Sequence, residues 1–361
     1  MRLTVVLVIL GLPAACGTGP APAQTPSSPA TASISGSPTP ASALPASPSP
    51  ASASPVELTL AFGGDVHFIG RTLPLLDEPQ TAFGPIAGQL RAADFAMVNL
   101  ESAVTTRGQP QPKKYLFRAP TAAYEALKGA GIDLVSLANN HALDYGQTGL
   151  LDTLASARAA GMPVVGAGRN TTEAYEPYVA TVRGVKLAVV ALSQVHELSA
   201  QWKPTATRPG IAMAFDKRLS VEAVRQARTM GDVVIVYMHW GTEGSPCPNA
   251  EQKSFAKLLA DAGANIVVGT HAHIPQGDGF LGQTYVHYGL GNFLWYGPSK
   301  STDSGLLTVR IQSGKVTNRT FTPAVINTTG QPIPATGRTL TALHQRLDHA
   351  TTCSGLARDP A

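Results

Sequence analysis

Five short polar clusters carry residue types suited to divalent-metal chemistry. Asp65 and His67 lie in GGDVHF, and Glu101 lies in NLESAVT. Asn139, Asn140 and His141 lie in SLANNHALD, with Asp144 three residues on. His239 and Glu243 lie in HWGTE, and His271 and His273 lie in GTHAH. Imidazole nitrogens, carboxylate oxygens and an amide oxygen suit Zn, Mn or Fe with no thiolate required. Asp65 and His67 are two apart, as are His271 and His273. In an extended segment such pairs project to the same side. Asp65, His67, Glu101, Asn140, His239, His271 and His273 are too many ligands for one tetrahedral ion. They suit two divalent ions about 3.5–4 Å apart that share a carboxylate, a pair that activates water and polarises an acyl or phosphoryl oxygen.

Each residue also has a plainer reading. Asp65 can cap a turn, and Glu101 can be an exposed loop carboxylate. His271 and His273 can be loop histidines satisfied by backbone, and Asn139 and Asn140 can supply left-handed turn conformations. Trp240 is expected in the core or a pocket wall. Gly289 and Gly291 are expected to allow close backbone approach. His196, His287, His344 and His349 have no partner pattern.

The elements that must position these clusters alternate. Strands are expected at 57–62, 95–99, 133–138, 186–192, 232–238, 265–268, 284–288 and 306–311, several of them apolar on both faces. Helices are expected at 121–130, 147–160, 219–229 and 249–262, with Gly131, Gly161 and Gly263 as stops. This alternation argues a layered α/β fold whose central sheets are mixed near their edges and flanked by helices. Each of the five clusters follows a strand at once, and ligands of open α/β sheets bind at the carboxyl ends of strands. The clusters are therefore expected on one rim.

In this order GGDVHF, NLESAVT, SLANNHALDYGQTGLLDTL, HWGTE, ANIVVGTHAH and GLGNF resemble the bacterial capsule-synthesis family of CapA type, the poly-γ-glutamate biosynthesis proteins. The resemblance implies a calcineurin-like metallophosphatase fold and two bound divalent ions. Asp65, His67 and His273 would hold the first ion. Asn140, His239 and His271 would hold the second, and Glu101 would bridge the two. His141 would be the unligated histidine that protonates a leaving group. Asn139, Asp144, Glu243 and Asn292 would lie behind the ligands or face substrate. The sequence departs from ordinary phosphatases in two places: NNH stands where they have GNH, and Glu101 stands where they have aspartate.

The chain has 361 residues, a prior of about two domains. Residues 17–55 lower that prior, because ten Pro, ten Ser, nine Ala and no charge cannot form a core. Met1-Arg2, an apolar run to Leu12 and small residues up to Cys16 read as a secretory signal. Leu12-Pro13-Ala14-Ala15-Cys16 resembles a lipoprotein signal, although Pro13 stands where an aliphatic residue is usual. Cys16 would then carry a lipid and anchor the protein on the outer face of the cytoplasmic membrane. Residues 17–55 would be a stiff spacer reaching up to about 120 Å. The expected organisation is a signal over 1–16, a linker over 17–55, a domain over 56–325 and a C-terminal extension over 326–361. Beyond the start there is no apolar run of about 18 residues, which excludes a transmembrane bundle. Three cysteines exclude a disulfide scaffold, and the sequence leaves open whether Cys247 and Cys353 pair. A net charge of +4, with its basic residues scattered, argues against nucleic-acid binding.

Three functions compete. One is an exported metal-dependent hydrolase or transferase acting at an amide or phosphoester of a capsule or cell-envelope polymer. Its partners would be an anionic polymer such as poly-γ-glutamate and the capsule-synthesis machinery. The second is a non-catalytic assembly or export component that uses the same rim to bind. The third is a metallophosphoesterase of small molecules.

Overall fold

The computed structural model of the protein describes residues 56–299 and 301–361. The expected signal, the spacer and Cys16 lie outside the described residues.

Strand Glu57–Val66 starts the first sheet. Leu58, Leu60 and Phe62 point to one face and Ala61 to the other, as the two-residue period requires. The strand pairs in parallel with Phe95–Leu100, which pairs in parallel with Leu134–Ser136. On its other side Asp303–Gln312 runs antiparallel along residues 57–62, and the short strand Asn292–Leu294 takes over beside Asp65 and Val66. Lys315–Ile326 and Pro332–Pro334 extend this eight-stranded sheet with antiparallel pairs.

The second sheet has six strands. Val185–Ser193, Val233–Trp240, Ile266–His271 and Thr284–His287 are parallel, and antiparallel strands Tyr178–Val182 and Asp278–Leu281 close its two edges. The second sheet is thus parallel at its centre and antiparallel at both edges, whereas the first divides into a parallel half and an antiparallel half; both sheets are mixed, as the alternating sequence predicts.

Three cores hold four layers together. Between the sheets, Leu60, Phe62 and Met97 meet Val189, Ile235 and Tyr285. On the far face of the first sheet, Leu90, Tyr124, Leu127 and Leu150 bring in helices Ala87–Ala92, Ala122–Gly129 and Gly146–Ala160. On the far face of the second, Val224, Phe255 and Leu259 bring in Lys217–Met230 and Ala250–Ala262. Each large side chain buried in this way stabilises by roughly 1.5–3 kcal/mol. Central strands covered on both faces must be apolar throughout, which is why their sequences are continuous hydrophobic runs.

The four expected helices form within a few residues of their expected bounds. The stops act as expected: Gly161 and Gly263 are left-handed at φ 65° and 108°. The expected strand 133–138 shortens to Leu134–Ser136. The Ala138 amide donates to Ser136 Oγ and the Asn139 amide to the Leu137 carbonyl, turning the chain out of the sheet.

Residues after 326 pack on the same body. Helix Gly337–Ser354 buries Leu343 and Ala350, and Ala357 exchanges backbone hydrogen bonds with Phe280. A disulfide joins Cys353 to Cys247, settling the pairing that the sequence leaves open. Among the described residues no helix is long and apolar enough to cross a membrane.

Candidate metal centre

The carboxyl ends of both sheets converge on one cluster of buried side chains. The first sheet delivers Asp65 and His67 from Glu57–Val66, Glu101 after Phe95–Leu100, and Asn140 and His141 after Leu134–Ser136. The second delivers His239 within Val233–Trp240, and His271 and His273 at the end of Ile266–His271. Two close approaches make this possible. A Cβ on Gly64 would lie 1.8 Å from the Gly291 carbonyl oxygen, so only glycine lets Asn292 come opposite Asp65. Across the sheets the Tyr237 hydroxyl donates to the Gly63 carbonyl at 2.5 Å, fixing one sheet to the other beneath the cluster.

The seven candidate ligands come together. His67 Nε2 lies 3.4 Å from Glu101 Oε2, and His239 Nε2 lies 3.2 Å from Glu101 Oε1. His273 Nδ1 is 3.2 Å from Asp65 Oδ2, whose other oxygen accepts from Asn99 Nδ2 at 2.8 Å. Asn140 turns its Oδ1 to His239 Nε2 at 2.8 Å, because its Nδ2 donates to Glu197 at 3.2 Å. Ligating atoms of Glu101, His239 and His271 lie within 4.8 Å of one another, and so do those of Asp65, Glu101 and His273. Glu101 is common to both groups, as a bridging carboxylate should be.

The donor set fits a cation. Both ring nitrogens of His67, both oxygens of Glu101 and Nδ1 of His271 are buried without a hydrogen-bond partner. Buried polar atoms rarely go unpaired, and two of these, His67 Nε2 and Glu101 Oε2, face each other at 3.4 Å. Burial pushes the His67 and His239 imidazoles down to about 3 and takes His271 well below its usual value, which favours the neutral form of each ring. Burial alone would raise the Asp65 carboxyl. The hydrogen bond from His273 and the nearby His239 outweigh it and hold Asp65 well below the carboxylate range. Burial, reinforced by Asp65, takes Glu101 well above its usual value. For His273 burial is overcome by Asp65, Glu101 and Glu243, and the ring rises to about 9.

Around this cluster lie the remaining expected residues. His141 is buried, stacks on Phe117 at 4.0 Å, and places Nδ1 2.7 Å from Asp144 Oδ2 and Nε2 4.0 Å from Glu101. Asn139 is fully buried. Its Nδ2 donates to Asn99 and to the Leu100 carbonyl, and its Oδ1 accepts from the His141 amide. Asn292 is buried, with Nδ2 donating to Ser299 and Oδ1 unpaired. Glu243 is exposed beside His271 and His273. Trp240 is core, its Nε1 donating to the Tyr288 carbonyl at 2.8 Å.

One expectation is corrected. His271 and His273 do not share a side through extended backbone, because their φ angles are 81° and 56°. Left-handed backbone costs a non-glycine residue on the order of 1–3 kcal/mol. The His271 amide donates to Asp65 Oδ2 at 3.2 Å, which helps to hold the kink that brings the two rings to 5.6 Å.

Some functional neighbours give no sequence signal. The Lys113 side chain is 1% exposed and pairs with Asp144 at 3.0 Å and Glu197 at 2.8 Å, while also donating to the Asn140 carbonyl. Phe117, Trp295 and Tyr296 wall His67 at ring distances of 4.5–5.1 Å. Lys113 and Glu197 lie in irregular loops where no periodicity marks them. Asn99 sits two residues before Glu101, inside a motif already singled out.

Two face-to-face mixed sheets between helical layers, with imidazoles and carboxylates gathered at their strand ends, define a layered α/β protein with a candidate metal centre. The chain belongs to the bacterial capsule synthesis protein family PGA_cap, whose sequence profile matches residues 59–296. It is 29% identical over 277 residues to the PGA biosynthesis protein CapA of Bacillus subtilis (strain 168), covering 75% of this chain and 72% of that one. It is 28% identical over 291 residues to the capsule biosynthesis protein CapA of Bacillus anthracis, covering 78% and 70%. A solved phosphatase from Mycoplasma pneumoniae overlaps 75% of this chain and 94% of its own, at 16% identity and a TM-score of 0.48.

Proposed function

We propose that the protein is an exported metal-dependent hydrolase or transferase of capsular polymer metabolism, acting on an amide or phosphoester of an anionic polymer of the poly-γ-glutamate type. The observation that carries this reading is the set of buried, unpaired ligand atoms of His67, Glu101 and His271. Divalent ions bound there would supply Lewis acidity and an activated water. Asp65, His67 and His273 would hold one ion, Asn140, His239 and His271 the other, and Glu101 both. Asp144, paired with the Lys113 ammonium, accepts from His141 Nδ1 and fixes the ring. Nε2 then faces the centre, where it passes a proton to or from the reacting group. Family membership and the names of the CapA relatives support the capsular setting. The disulfide, which persists in oxidising compartments, and the signal-like 1–16 support export, with Cys16 as a lipid anchor.

The test uses the full-length protein. Elemental analysis should find about two divalent ions per chain, and Glu101→Gln should lose them while keeping its circular dichroism. Wild-type protein should shorten poly-γ-glutamate or cleave a chromogenic phosphoester, and Glu101→Gln should not. A folded wild-type chain that takes up no Mn, Zn or Fe would overturn the metal-dependent reading. Metal uptake without turnover, in a chain that binds the polymer, would favour an assembly role instead.

A further inference from the structure

A third group of candidate ligands is not explained by the two-ion reading on which this inference rests. Ligating atoms of Glu243, His271 and His273 also lie within 4.8 Å of one another. Its members differ from those of the other two groups in burial. Asp65, Glu101 and His239 are buried, whereas Glu243 is exposed and His273 partly so. The group shares one histidine with each inner group: His271 with Glu101 and His239, and His273 with Asp65 and Glu101. An ion from solvent must reach a carboxylate, Glu101, that is 0% exposed. The outer triad stands where exposed side chains give way to buried ones.

The position of Glu243 is built. Gly244, its neighbour, donates its amide to the Ala272 carbonyl at 2.7 Å, and Ala272 lies between the two histidines. Gln276 Nε2 donates to the Ser245 carbonyl at 2.9 Å, and buried Gln252 donates to Gln276 Oε1 at 2.8 Å. Cys247, four residues beyond Glu243, is held by the disulfide. The loop with the carboxylate and the loop with the imidazoles are therefore tied to each other.

We propose that Glu243, His271 and His273 form a loading seat that takes a hydrated divalent cation of the Mn, Fe, Co or Zn class at the solvent side of the buried cluster. The exposed carboxylate replaces the first waters. His271 and His273 then turn the ion over to the inner groups through the same two side chains. Because the histidines are shared, the seat empties as the inner sites fill, and it adds no ion at saturation.

Trp295 lies 4.6 Å from His273 and 4.8 Å from His67, so a paramagnetic ion entering the cluster should quench its fluorescence. Metal-free full-length protein is mixed with cobalt(II) in a stopped-flow instrument, and the ion content at equilibrium is measured separately. Glu243→Gln should slow the quenching at least tenfold and leave the final cobalt content equal to that of wild type. The slowing should persist in about 1 M salt, where the screening length is about 3 Å and long-range attraction is removed. Equal rates for the two proteins would overturn the proposal, as would a difference that vanishes in salt. A lower cobalt content at saturation would also overturn it, by making Glu243 a resident ligand. Wild-type protein that binds no cobalt would sink the two-ion reading itself, an outcome distinct from loading at an unchanged rate.

Discussion

At the scale of single residues, the centre depends on charges that are buried and paired. Lys113 is one of them. Its ammonium is sealed from solvent, faces Asp144 and Glu197, and donates to the carbonyl of Asn140. Asp144 is itself pushed up to about 7 by burial, with Lys113 pulling the other way, so its charge depends on that partner. Lys113→Met keeps the length of the stem and removes the charge. Breaking a buried pair by deleting one partner typically costs about 3–5 kcal/mol, which a shift in the urea midpoint should register. Asp144 would then be left to take a proton, and the carboxylate that orients His141 would be lost. Lys113→Met in combination with Asp144→Asn should recover part of the stability, because no uncompensated charge stays buried at that position. A Lys113→Met protein as stable as wild type would remove Lys113 from any structural account of the cluster.

At the scale of elements, the cluster is held by loops, and those loops are held from outside. The segment between Val233–Trp240 and Ala250–Ala262 carries Glu243 and is tied through Cys247 to helix Gly337–Ser354. The two cysteines are 106 residues apart, and a closed loop of that size restricts the unfolded chain strongly. Cys353→Ser, or reduction of wild type, should lower stability by about 2–5 kcal/mol, read from denaturation with and without reductant. The central elements were legible because two-sided burial forces continuous apolar runs, as in Val233–Trp240 and Val185–Ser193. Lys315–Ile326 was not legible: exposed and half-buried residues mix along it, and its partner is decided by the tertiary fold. Helix Gly337–Ser354 buries little beyond Leu343 and Ala350, too sparse a stripe to stand out. The candidate ligands were legible as clusters after strands. The left-handed kinks at His271 and His273 were not, because they rest on a carboxylate about two hundred residues away.

At the scale of the whole molecule, the layer between the two sheets contains a titratable group that the centre does not use. His287 ends strand Thr284–His287 of the second sheet, and its ring lies 5.1 Å from Phe321 of the first. It is 1% exposed, and its Nδ1 has no hydrogen-bond partner. Burial lowers it to about 4, against a weaker upward pull from Asp278. A histidine with a depressed folded pKa stays neutral in the native protein while the unfolded chain takes a proton. Stability from this group is therefore fully present above about pH 6.5 and is lost as pH falls toward 4. A depression of this size corresponds to about 3 kcal/mol at the acid end of that window. His287→Leu removes the titration and leaves an apolar side chain in an apolar layer. Its stability should fall less steeply than that of wild type between pH 6.5 and 4, with the two curves closest to parallel above pH 7. Chemical denaturation across that range, on metal-free protein so that ligand protonation is common to both curves, checks the difference. Parallel curves down to pH 4 would mean that the inter-sheet layer admits water or a counter-charge at His287, and that the two sheets are less tightly closed there than their packing indicates.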